Sequence, residues 1–527
     1  TTYVAVRGAP VQDIVSFAVV LLLASVPVAL PAAFALAGAL GAQHLAGHGI
    51  LTARLSSVTA AAEMDVLCVD KTGTITRNRL AVAAVTARPG TSEADVLRMA
   101  AGASDEATQD PIDMAVLRAA AERGVQADRR IGFTPFDPAT KRSEATLHTG
   151  TRTERVAKGA PQVIAALAGQ SPDLDVARLA AEGARVVAVA RADQDGVWRQ
   201  VGLLALADSP RPDAADMLAS LEELGVSVVM ITGDSAATAA AIAAQVGIHG
   251  TVARADAIRD NRCAPITSGV IAEVLPEDKH HLVKQLQNAG HTVGMTGDGV
   301  NDAPALRQAD VGIAVAGGTD VAKSAAGVVL TREGLADIVG LVEESRRIHQ
   351  RSLTYALNVS VKKLEVPVVL TVGVFAWGQF VFTPLLMALL LLGNDVVSMA
   401  ITTDRADYAH RPDRWAVRNI IVGAGAVAAP LLTASIGLLW FTRDVWPGLD
   451  LDGLRTLSYL TLLASSQATI YLVRTRDHAW TSRPSNPLIA ATAANLAVAL
   501  ILALTGALMA PIPATVALLV LGTLLAG

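Results

Sequence analysis

The chain has 527 residues, of which 52% are hydrophobic and only 4% aromatic, while charged residues make up 17%. Soluble domains carry about 25% charged residues, so this composition excludes an ordinary soluble enzyme, and charge-free stretches near both ends indicate a membrane protein with a large soluble insert. The net charge of −5 and the lack of any Lys/Arg run exclude a nucleic-acid partner held by phosphate contacts.

Apolar segments near both ends of the chain are long enough to cross a bilayer, which takes about 18 or more residues. The seven predicted spans are 17–42, 357–377, 383–401, 420–441, 457–473, 488–508 and 512–526. Arginines follow the third and fifth spans, whereas Asp444, Asp450 and Asp452 lie in the loop after the fourth. Because cytoplasmic loops are enriched in Lys and Arg, we expect the insert of about residues 45–350 to be cytoplasmic.

The insert contains short β-branched runs that alternate with amphipathic helical stretches, which is typical of a parallel α/β sheet. The runs are 64–69, 226–231, 292–295 and 311–315. Between residues 81 and 189 the pattern becomes helix-rich and then β-like, which predicts a second domain inserted into the first. The predicted domains are a Pro-containing membrane helix (1–44), two parts of the sheet domain (45–80 and 190–345), the inserted domain (81–189), a stalk with two membrane helices (346–403) and four C-terminal membrane helices (404–527).

Polar motifs follow three of the predicted strands. Asp70-Lys-Thr-Gly-Thr follows the first, Thr232-Gly-Asp the second and Asp298-Gly-Val-Asn-Asp the third. Lys279 lies in the helix between the last two strands. Because open α/β sheets bind ligands beyond the carboxyl ends of their strands, we expect these side chains to form one site. Each motif alone is an ordinary turn sequence, but their occurrence in order after successive strands favours a catalytic site.

This set of residues fits phosphoryl transfer through a carboxylate. Asp70 would attack the γ-phosphorus of a nucleotide and form an acyl phosphate. Mg²⁺ prefers hard oxygen ligands, which Asp70, the carbonyl oxygen of Thr72 and Asp298 can provide. Thr232 and Lys279 can hold the equatorial phosphate oxygens, and the last two residues of the third motif can orient Asp298. The predicted catalytic residues are Asp70, Lys71, Thr72, Thr232, Gly233, Asp234, Lys279, Asn301 and Asp302.

Thr72 lies two residues after Asp70. In phosphatases of the haloacid-dehalogenase type, this position holds a second Asp that acts as general acid and base. Without that base, we expect the aspartyl phosphate to persist until another group delivers a water molecule. A long-lived phosphoenzyme is typical of a pump, in which the phosphorylation state drives a conformational change.

The three motifs together resemble the signature of the P-type ATPases, and the resemblance covers about residues 20–420. It implies a haloacid-dehalogenase-like phosphorylation domain with a doubly wound parallel sheet, an inserted α+β nucleotide-binding domain, and a bundle of about seven transmembrane helices. It also implies Mg²⁺ as cofactor and ATP as substrate. Two alternatives from other classes are a membrane-tethered dehalogenase-type phosphatase and a non-catalytic interaction scaffold.

Six residues of the inserted domain resemble the nucleotide site of this family. Phe136 resembles the aromatic residue that stacks on adenine, and Lys158 resembles the pocket lysine. Arg185 resembles the arginine near the β-phosphate, and Asp110 resembles an acidic pocket residue. The full predicted set is Asp110, Phe136, Lys141, Lys158, Gly159 and Arg185. Without the resemblance, the alternative for Phe136 is an aromatic residue of the core.

The membrane segments contain one interrupted helix and two carboxylates at a similar depth. Pro27 and Pro31 break the helix hydrogen bonds of the first span, and freed carbonyls are tolerated only where they face protein or a polar cavity. At about 1.5 Å per residue, Pro27, Glu365 and Asp395 lie roughly 18–21 Å from the outer face. Ionisable groups at this depth are functional by default, although the alternative for Glu365 is an ion pair with the lysines one turn earlier. The predicted ion-transport residues are Pro27, Pro31, Glu365, Asn394 and Asp395.

The sequence around Pro27 and Asp395 most resembles the plasma-membrane proton-pump branch, in which an Asn-Asp pair carries the proton-accepting Asp. No cysteine lies near Pro27, which disfavours soft-metal transport. No carboxylate lies between the two prolines, where the calcium and sodium/potassium branches place one. We therefore expect export of H⁺, with another small cation such as Mg²⁺, K⁺ or Ca²⁺ as the alternative. Glu365 departs from the branch, whose eukaryotic members have an arginine there.

The family resemblance also implies regions that this sequence does not contain. Family members carry an actuator domain with a Thr-Gly-Glu-Ser motif and three more membrane spans, which we expect in the same gene or in a separate chain. Because the actuator Glu positions the hydrolytic water, we do not expect full turnover by this chain alone. The expected partners are this N-terminal region, the lipid bilayer and the transported cation, in a multi-pass protein of the plasma membrane or bacterial-type inner membrane with cytoplasmic soluble domains.

Overall fold

The computed structural model describes residues 10–26, 30–149, 152–171, 174–181, 183–192, 196–259, 268–445, 449–475 and 481–526. The chain divides into two compact units. The sheet unit comprises Gly49–Ala60 and Met64–Gly340. The membrane unit comprises Thr1–His48, Ala61–Glu63 and Leu341–Gly527.

The strands of the sheet unit are rich in Val, Ile, Leu and Ala, and many of them are buried. In chain order they are β1 Ile50–Thr52, β2 Val66–Asp70, β3 Thr76–Ala87, β4 Arg129–Asp137, β5 Arg142–Thr149, β6 Arg152–Gly159, β7 Arg185–Ala192, β8 Trp198–Pro210, β9 Ser227–Ile231, β10 Val252–Arg254, β11 Val270–Ala272, β12 Val293–Gly297, β13 Val311–Ala314 and β14 Val328–Leu330. β2 is buried along its whole length, which is typical of a strand covered by helices on both faces of a parallel sheet.

The helices around these strands are short. Between residues 55 and 325 they are Leu55–Glu63, Glu93–Gly102, Pro111–Glu122, Pro161–Leu167, Leu174–Ala181, Ala214–Glu223, Ala236–Val246, Ala255–Arg259, Pro276–Asn288, Ala303–Gln308 and Asp320–Ala325. Several begin after a residue whose side chain accepts a hydrogen bond from a first-turn N–H, which stabilises the start of a helix. These residues are Ser92, Asp110, Ser235 and Thr319.

Among the described residues, the first sheet has eight strands in the order β1-β14-β13-β12-β2-β9-β11-β10. Neighbouring strands are parallel except for β1, which is antiparallel to β14. The four runs predicted from the sequence correspond to β2, β9, β12 and β13, so the predicted parallel α/β sheet is confirmed. β2 lies between β12 and β9, and therefore the motifs after these three strands meet at one edge of the sheet.

The inserted domain contains a second sheet of six antiparallel strands, in the order β3-β8-β7-β6-β5-β4. It extends past both ends of the predicted segment 81–189, because β3 begins at Thr76 and β8 ends at Pro210. The apolar run 201–207 in β8 is typical of a parallel strand covered on both faces. Here the run pairs with β3 and β7 instead, and it is covered because helices pack on both faces of this antiparallel sheet.

The membrane unit consists mainly of helices. They are Val11–Ser25, Leu30–Gly47, Ala336–Trp377, Pro384–Ala400, Val417–Val445, Leu451–Val473, Asn486–Thr505 and Ala514–Ala526. The predicted first span, 17–42, is two helices, since one ends at Ser25 and the next begins at Leu30. Pro31 lies in the first turn of the second helix, where the helix does not use the missing N–H. Pro27 lies outside the described residues.

Some helices of the membrane unit are long and apolar enough to cross a bilayer. Within the part of the chain that the structure describes, three meet this condition, and they are Pro384–Thr403, Val417–Thr442 and Asn486–Thr505. Val11–Ser25 and Ala514–Leu524 are apolar but shorter. The predicted span in Leu451–Val473 is not in this set, because the helix carries many hydroxyl and amide side chains, which are buried against its neighbours.

Candidate functional site

Asp70 is the last residue of the central strand β2, and its side chain is buried. Its backbone N–H donates a hydrogen bond to Oγ1 of Thr296 on the neighbouring strand, at 3.2 Å. Thr72 follows in an extended conformation, and Gly73 has a φ of +73°. A Cβ at Gly73 would lie 2.0 Å from Oδ2 of Asp298, so only glycine lets this carboxylate approach the loop.

Lys279 connects two carboxylates of the site. Its Nζ lies 2.8 Å from Oδ2 of Asp70 and 2.7 Å from Oδ1 of Asp302. The second oxygen of Asp302 accepts hydrogen bonds from the backbone N–H groups of Asp298, at 3.2 Å, and Gly299, at 3.0 Å. Asp302 therefore holds both the lysine and the loop that carries Asp298.

The site contains more negative than positive charge. Burial raises the pKa of Asp70 to about 6, with Lys279 opposing and Asp302 reinforcing this shift. Burial and the charge of Asp302 also raise the pKa of Asp298. For Lys279, burial favours a lower pKa, but the carboxylates of Asp70 and Asp302 outweigh it and the pKa is raised.

One carboxylate oxygen from each of Asp70, Asp298 and Asp302 lies within 4.8 Å of the others. Three such oxygens with a single ammonium beside them leave negative charge to be neutralised, and hard carboxylate oxygens are the ligands that Mg²⁺ prefers. The close approach of Asp298 over Gly73 places this cluster beside the backbone of the loop after Asp70. The residues present therefore fit a magnesium ion.

The motif after β9 lies beside this loop. The hydroxyl oxygen of Thr232, which is buried, accepts a hydrogen bond from the backbone N–H of Asp234 across Gly233, at 3.1 Å. The carboxylate of Asp234 lies 2.9 Å from Nζ of Lys71. Asn301 is exposed in the helical turn Val300–Asp302, and none of the hydrogen bonds found among the described residues joins its side chain to this network.

Two residues that sequence reasoning missed hold the loop after Asp70. Arg211 donates hydrogen bonds to the carbonyl oxygens of Thr74, at 3.0 Å, and Gly73, at 3.2 Å. Asp208 accepts hydrogen bonds from the Thr76 hydroxyl and from the backbone N–H of Arg79. The charged, proline-containing sequence Asp-Ser-Pro-Arg at the end of an apolar strand is the signal that could have identified both residues.

The six residues predicted for nucleotide binding line one cavity of about 380 Å³ in the inserted domain. They are Asp110, Phe136, Lys141, Lys158, Gly159 and Arg185. Phe136 is 52% exposed, which rules out the alternative of a core aromatic. A Cβ at Gly159 would lie 2.4 Å from the carbonyl oxygen of Lys141, so this glycine allows the turn before β5 to pack against β6.

Two acidic residues differ in their relation to this cavity. Asp110 accepts hydrogen bonds from the N–H groups of Ile112, at 2.8 Å, and Asp113, at 3.2 Å, so its carboxylate caps the helix Pro111–Glu122. Asp113, which the sequence reasoning missed, lines the cavity and pairs with the buried ammonium of Lys158. Burial lowers the pKa of Lys158, and Asp113 opposes this shift.

The membrane unit contains a cavity of about 250 Å³ that is lined by Asn394 and Asp395 together with Lys362 and Lys363. Nζ of Lys363 donates a hydrogen bond to the carbonyl oxygen of Val26, at 3.0 Å. That carbonyl lies just after the end of the first helix. A carbonyl near the helix interruption therefore has a polar partner.

The residues predicted for ion transport do not all line this cavity. Glu365 does not line the cavity, and its Oε1 accepts hydrogen bonds from Ser435, at 3.0 Å, and Ser465, at 2.5 Å. Among the described residues, no ion pair joins Glu365 to Lys362 or Lys363, so the predicted alternative is also not observed. Depth along a helix does not determine which side of the helix a residue occupies. Pro31 is exposed and outside the lining, and Pro27 cannot be assigned because it lies outside the described residues.

Asn394 belongs to a hydrogen-bonded group of buried amides and hydroxyls. Its Nδ2 donates to Oγ of Ser466, at 3.3 Å, and its Oδ1 accepts from Nε2 of Gln467, at 3.1 Å. Ser398 also lines the cavity and accepts a hydrogen bond from Asn358, at 3.3 Å. The cavity around Asp395 is therefore connected to polar side chains of two neighbouring helices.

Comparison with known proteins gives a family match within the sheet unit and similar proteins over most of the chain. Residues 64–310 match the family model of haloacid dehalogenase-like hydrolases. A protein of Methanocaldococcus jannaschii, whose name designates a cation-transporting ATPase, is 35% identical over 96% of this chain and 65% of its own length. Two proteins of Leishmania donovani, whose names designate proton ATPases 1A and 1B, are each 34% identical over 90% of this chain and 54% of their own length. The chain thus spans less than two thirds of the length of these relatives.

Proposed function

The chain belongs to the P-type ATPases, and on that premise we propose that it is the ATP-binding, phosphorylated and ion-binding part of a proton pump. The observation that carries the proposal is the bridge of Lys279 between Asp70 and Asp302, beside Asp298, at the carboxyl edge of a parallel sheet. This arrangement supplies a nucleophile, a fixed positive charge and oxygens for a metal ion at one place.

In the phosphoryl transfer, a carboxylate oxygen of Asp70 bonds to the γ-phosphorus while the bond from that phosphorus to the leaving oxygen of ADP breaks. Lys279 neutralises charge on the equatorial oxygens. The hydroxyl oxygen of Thr232 accepts a hydrogen bond from the backbone N–H of Asp234. The hydroxyl proton of Thr232 therefore remains available to donate to a phosphate oxygen. Because these groups are held in place before the reaction, their reorganisation does not add to the barrier.

Magnesium would be held by the carboxylates of Asp70 and Asp298 and by the carbonyl oxygen of Thr72. When bound, the ion neutralises negative charge on the phosphate and the carboxylates. Asp302 would keep its present role, because both of its oxygens already bind Lys279 and the backbone of the Asp298 loop.

ATP would occupy the cavity of the inserted domain. The exposed face of Phe136 can stack on adenine, and Lys158 and Arg185 supply positive charge for the phosphates. Lys158 is held by Asp113 at the wall of the cavity, so binding does not require a long side chain to become ordered. Asp110 has a structural part in this scheme, since its carboxylate caps a helix.

The residue two positions after Asp70 supports a pump over a phosphatase. Thr72 has no carboxylate that could activate water, so the acyl phosphate of this chain would persist. Hydrolysis would then require a group from the N-terminal actuator region, in the same gene or in a separate chain. A phosphoenzyme that waits for a second domain can couple its lifetime to transport.

The cavity around Asp395 supports H⁺ as the transported ion. Ca²⁺ takes 6–8 oxygen ligands, whereas the side-chain oxygens of the lining come from Tyr355, Asn394, Asp395 and Ser398. Lys362 and Lys363 line the same cavity, and two ammonium groups would repel a divalent cation. A single carboxylate that alternates between a proton and a nearby ammonium as its partner needs no further ligands.

The proposed setting is a plasma membrane or bacterial-type inner membrane with the sheet unit in the cytoplasm. The support is the distribution of arginines in the loops of the membrane unit, which favours this orientation. In that orientation, the proton would leave the cytoplasm during each cycle.

The test uses the complete enzyme in sealed lipid vesicles, with a pH-sensitive dye inside and ATP outside. We expect ATP-driven acidification that does not require K⁺ or Ca²⁺. Asp395→Asn should abolish acidification but retain phosphorylation of Asp70, while the exposed control Asp407→Asn should behave like the parent. Acidification by Asp395→Asn at the parental rate would show that Asp395 is not the proton carrier. ATP hydrolysis that depends on another cation would show that this cation, and not H⁺, is transported.

A further inference from the structure

Glu365 is completely buried in the membrane unit, away from the Asp395 cavity. Both hydroxyl groups that contact it, from Ser435 and Ser465, donate to the same oxygen, Oε1. Its other oxygen, Oε2, has no hydrogen-bond partner among the described residues. A buried carboxylate without a cation is costly, so an uncharged Glu365 that carries a proton on Oε2 fits this environment.

The two serines belong to helices that run in opposite directions, Val417–Val445 and Leu451–Val473. Thr442 lies seven residues from Ser435, toward the outer end of the same helix. Ser458 lies seven residues from Ser465, toward the outer end of the other helix. A spacing of seven keeps residues on the same side of packed helices. The second pair of hydroxyls therefore lies at the same interface, about 10 Å farther out.

Both outer hydroxyls are completely buried, as is Thr461 between Ser458 and Ser465. Ser458 donates to the carbonyl oxygen of Leu454, at 2.9 Å, and Thr461 donates to that of Leu457, at 2.8 Å. Each hydroxyl proton is thus used within its own helix, and the oxygen lone pairs remain available to accept a proton donor such as water. These residues form a line of acceptors that leads outward from Glu365.

The segment 443–455 at the outer end of these two helices has one net negative charge, from three aspartates and two arginines. Asp444, Asp450 and Asp452 are exposed there, and Asp452 pairs with Arg455 at 2.7 Å. The arginine-rich loops predict that this segment lies on the opposite, outer side. The line of hydroxyls therefore leads from a buried acid to a weakly acidic outer segment.

We infer that Glu365 is a second proton-carrying carboxyl, and that Thr442, Ser458 and Thr461 line the route by which its proton leaves for the outer face. The inference rests on the proposed function as a proton pump. The proton on Oε2 passes to water molecules between the two helices and then to the outer solution. Glu365 remains as a carboxylate whose charge the hydroxyls of Ser435 and Ser465 stabilise until it is protonated again.

Lys362 gives this site a connection with the Asp395 cavity. It lies three residues before Glu365 on the same helix and lines that cavity. Residues three apart on a helix are neighbours, so Lys362 stands between the two carboxyls. Movement of this ammonium toward either of them would favour release of the proton from that one.

The test compares Glu365→Gln with the parent in the complete enzyme, reconstituted in vesicles. Glutamine keeps the size of the protonated acid and the acceptor for both serines but cannot release a proton. We expect phosphorylation of Asp70 from ATP to be retained and the number of protons moved per ATP to fall about twofold, because Asp395 still carries its own proton in each cycle. The matched control is Thr433→Ala, which removes an exposed hydroxyl from the helix of Ser435 and should leave proton transport unchanged.

Two further measurements separate a transport role from a structural one. The double variant Thr442→Ala/Ser458→Ala keeps Glu365 and its serines but removes the outer hydroxyls, and we expect the number of protons moved per ATP to fall toward that of Glu365→Gln. The infrared absorption of protonated carboxyls should be the same in the parent and in this double variant, and Glu365→Gln should lose the part of it that belongs to Glu365.

The possible results distinguish the inference from its premise. A parent enzyme that hydrolyses ATP without acidifying vesicles overturns the proposed function, and this inference with it. A parent that acidifies vesicles while Glu365→Gln does so at the same ratio of protons to ATP overturns the inference alone. An unchanged ratio in the double variant overturns the route.

Discussion

Two regions of this protein bury carboxylates to a similar degree and give them different partners. At the edge of the first sheet, Asp70 and Asp302 share the ammonium of Lys279 at distances of 2.8 and 2.7 Å. In the membrane unit, Glu365 is equally buried, but it has only hydroxyl partners on one oxygen and none found for the other. The first region has fixed charge pairs, whereas the second has a carboxyl group with one oxygen that lacks a hydrogen-bond partner.

The difference suggests a physical division of work. A site that stabilises charge during phosphoryl transfer is most effective when its charges are already in place. A site that binds and releases an ion must change its hydrogen-bond partners. In the described part of the membrane unit, Asn358, Gln467 and Asn495 each also have one buried side-chain atom without a hydrogen-bond partner. Loss of a fixed partner should therefore have larger chemical effects than changes at exposed pairs of the sheet unit.

The largest effect is expected for Asp70→Asn. An amide is not a competent nucleophile, so the variant should form no acid-stable, hydroxylamine-sensitive phosphoprotein from ATP and Mg²⁺. The measurement is incorporation of label from radioactive ATP into the protein. Asp216→Asn, an exposed change in the same unit, should label like the parent. Equal labelling of Asp70→Asn and the parent would show that the sheet edge is not the phosphorylated site.

Lys279→Met tests the fixed charge pairs. Removal of one partner from a buried charged network costs about 3–5 kcal/mol of stability, because Asp70 and Asp302 would face each other without compensation. The rate of phosphoprotein formation should fall about 10²–10³-fold. Lys284→Met, on the exposed side of the same helix, is the matched control. A normal labelling rate in a stably folded Lys279→Met protein would contradict the assigned role.

Much of the phosphorylation site follows from the sequence. Each motif comes directly after a run of aliphatic residues, and parallel strands place such motifs at one edge, where Asp70, Lys279 and Asp302 are in fact in contact. The nucleotide residues depend more on family resemblance, because Phe136 and Arg185 lie on strands of an antiparallel sheet that the sequence pattern delimits only in part.

The features that the sequence does not predict depend on rotation and long-range pairing. Counting along helices gives the depth of Glu365 and Asp395 but not the side that each occupies, and the two carboxyls face different neighbours. The apolar run in β8 is compatible with either sheet, and its partners decide the assignment. Arg211 donates to backbone carbonyls 137 and 138 positions earlier in the chain, so the local sequence can mark this arginine but cannot show which groups it binds.

Lys158→Ala should have an intermediate effect, on binding instead of on chemistry. A hydrogen bond to a charged group is worth about 1.5–3 kcal/mol, so half-maximal labelling should require about tenfold or more ATP and still reach the parental level at saturation. The change also leaves the buried Asp113 without its partner. The double variant Lys158→Ala/Asp113→Asn should therefore regain stability without regaining ATP affinity. An unchanged dependence on ATP would remove Lys158 from the nucleotide site.

The smallest effect is expected at an exposed pair of the same unit, where Ser92 and Asp95 form a capping box at the start of the helix Glu93–Gly102. The hydrogen bond from Ser92 lowers the pKa of Asp95, and burial opposes this shift. Since the folded pKa lies below the unfolded one, this stabilisation is present above the ordinary pKa and is lost as the pH falls through the folded value. Asp95→Ala should raise hydrogen exchange of first-turn amides about two- to threefold near neutral pH, and the difference from the parent should vanish in acid. A much larger effect, or one that persists in acid, would contradict the expectation that substitutions at exposed pairs have smaller effects than substitutions in the buried Asp70–Lys279–Asp302 site.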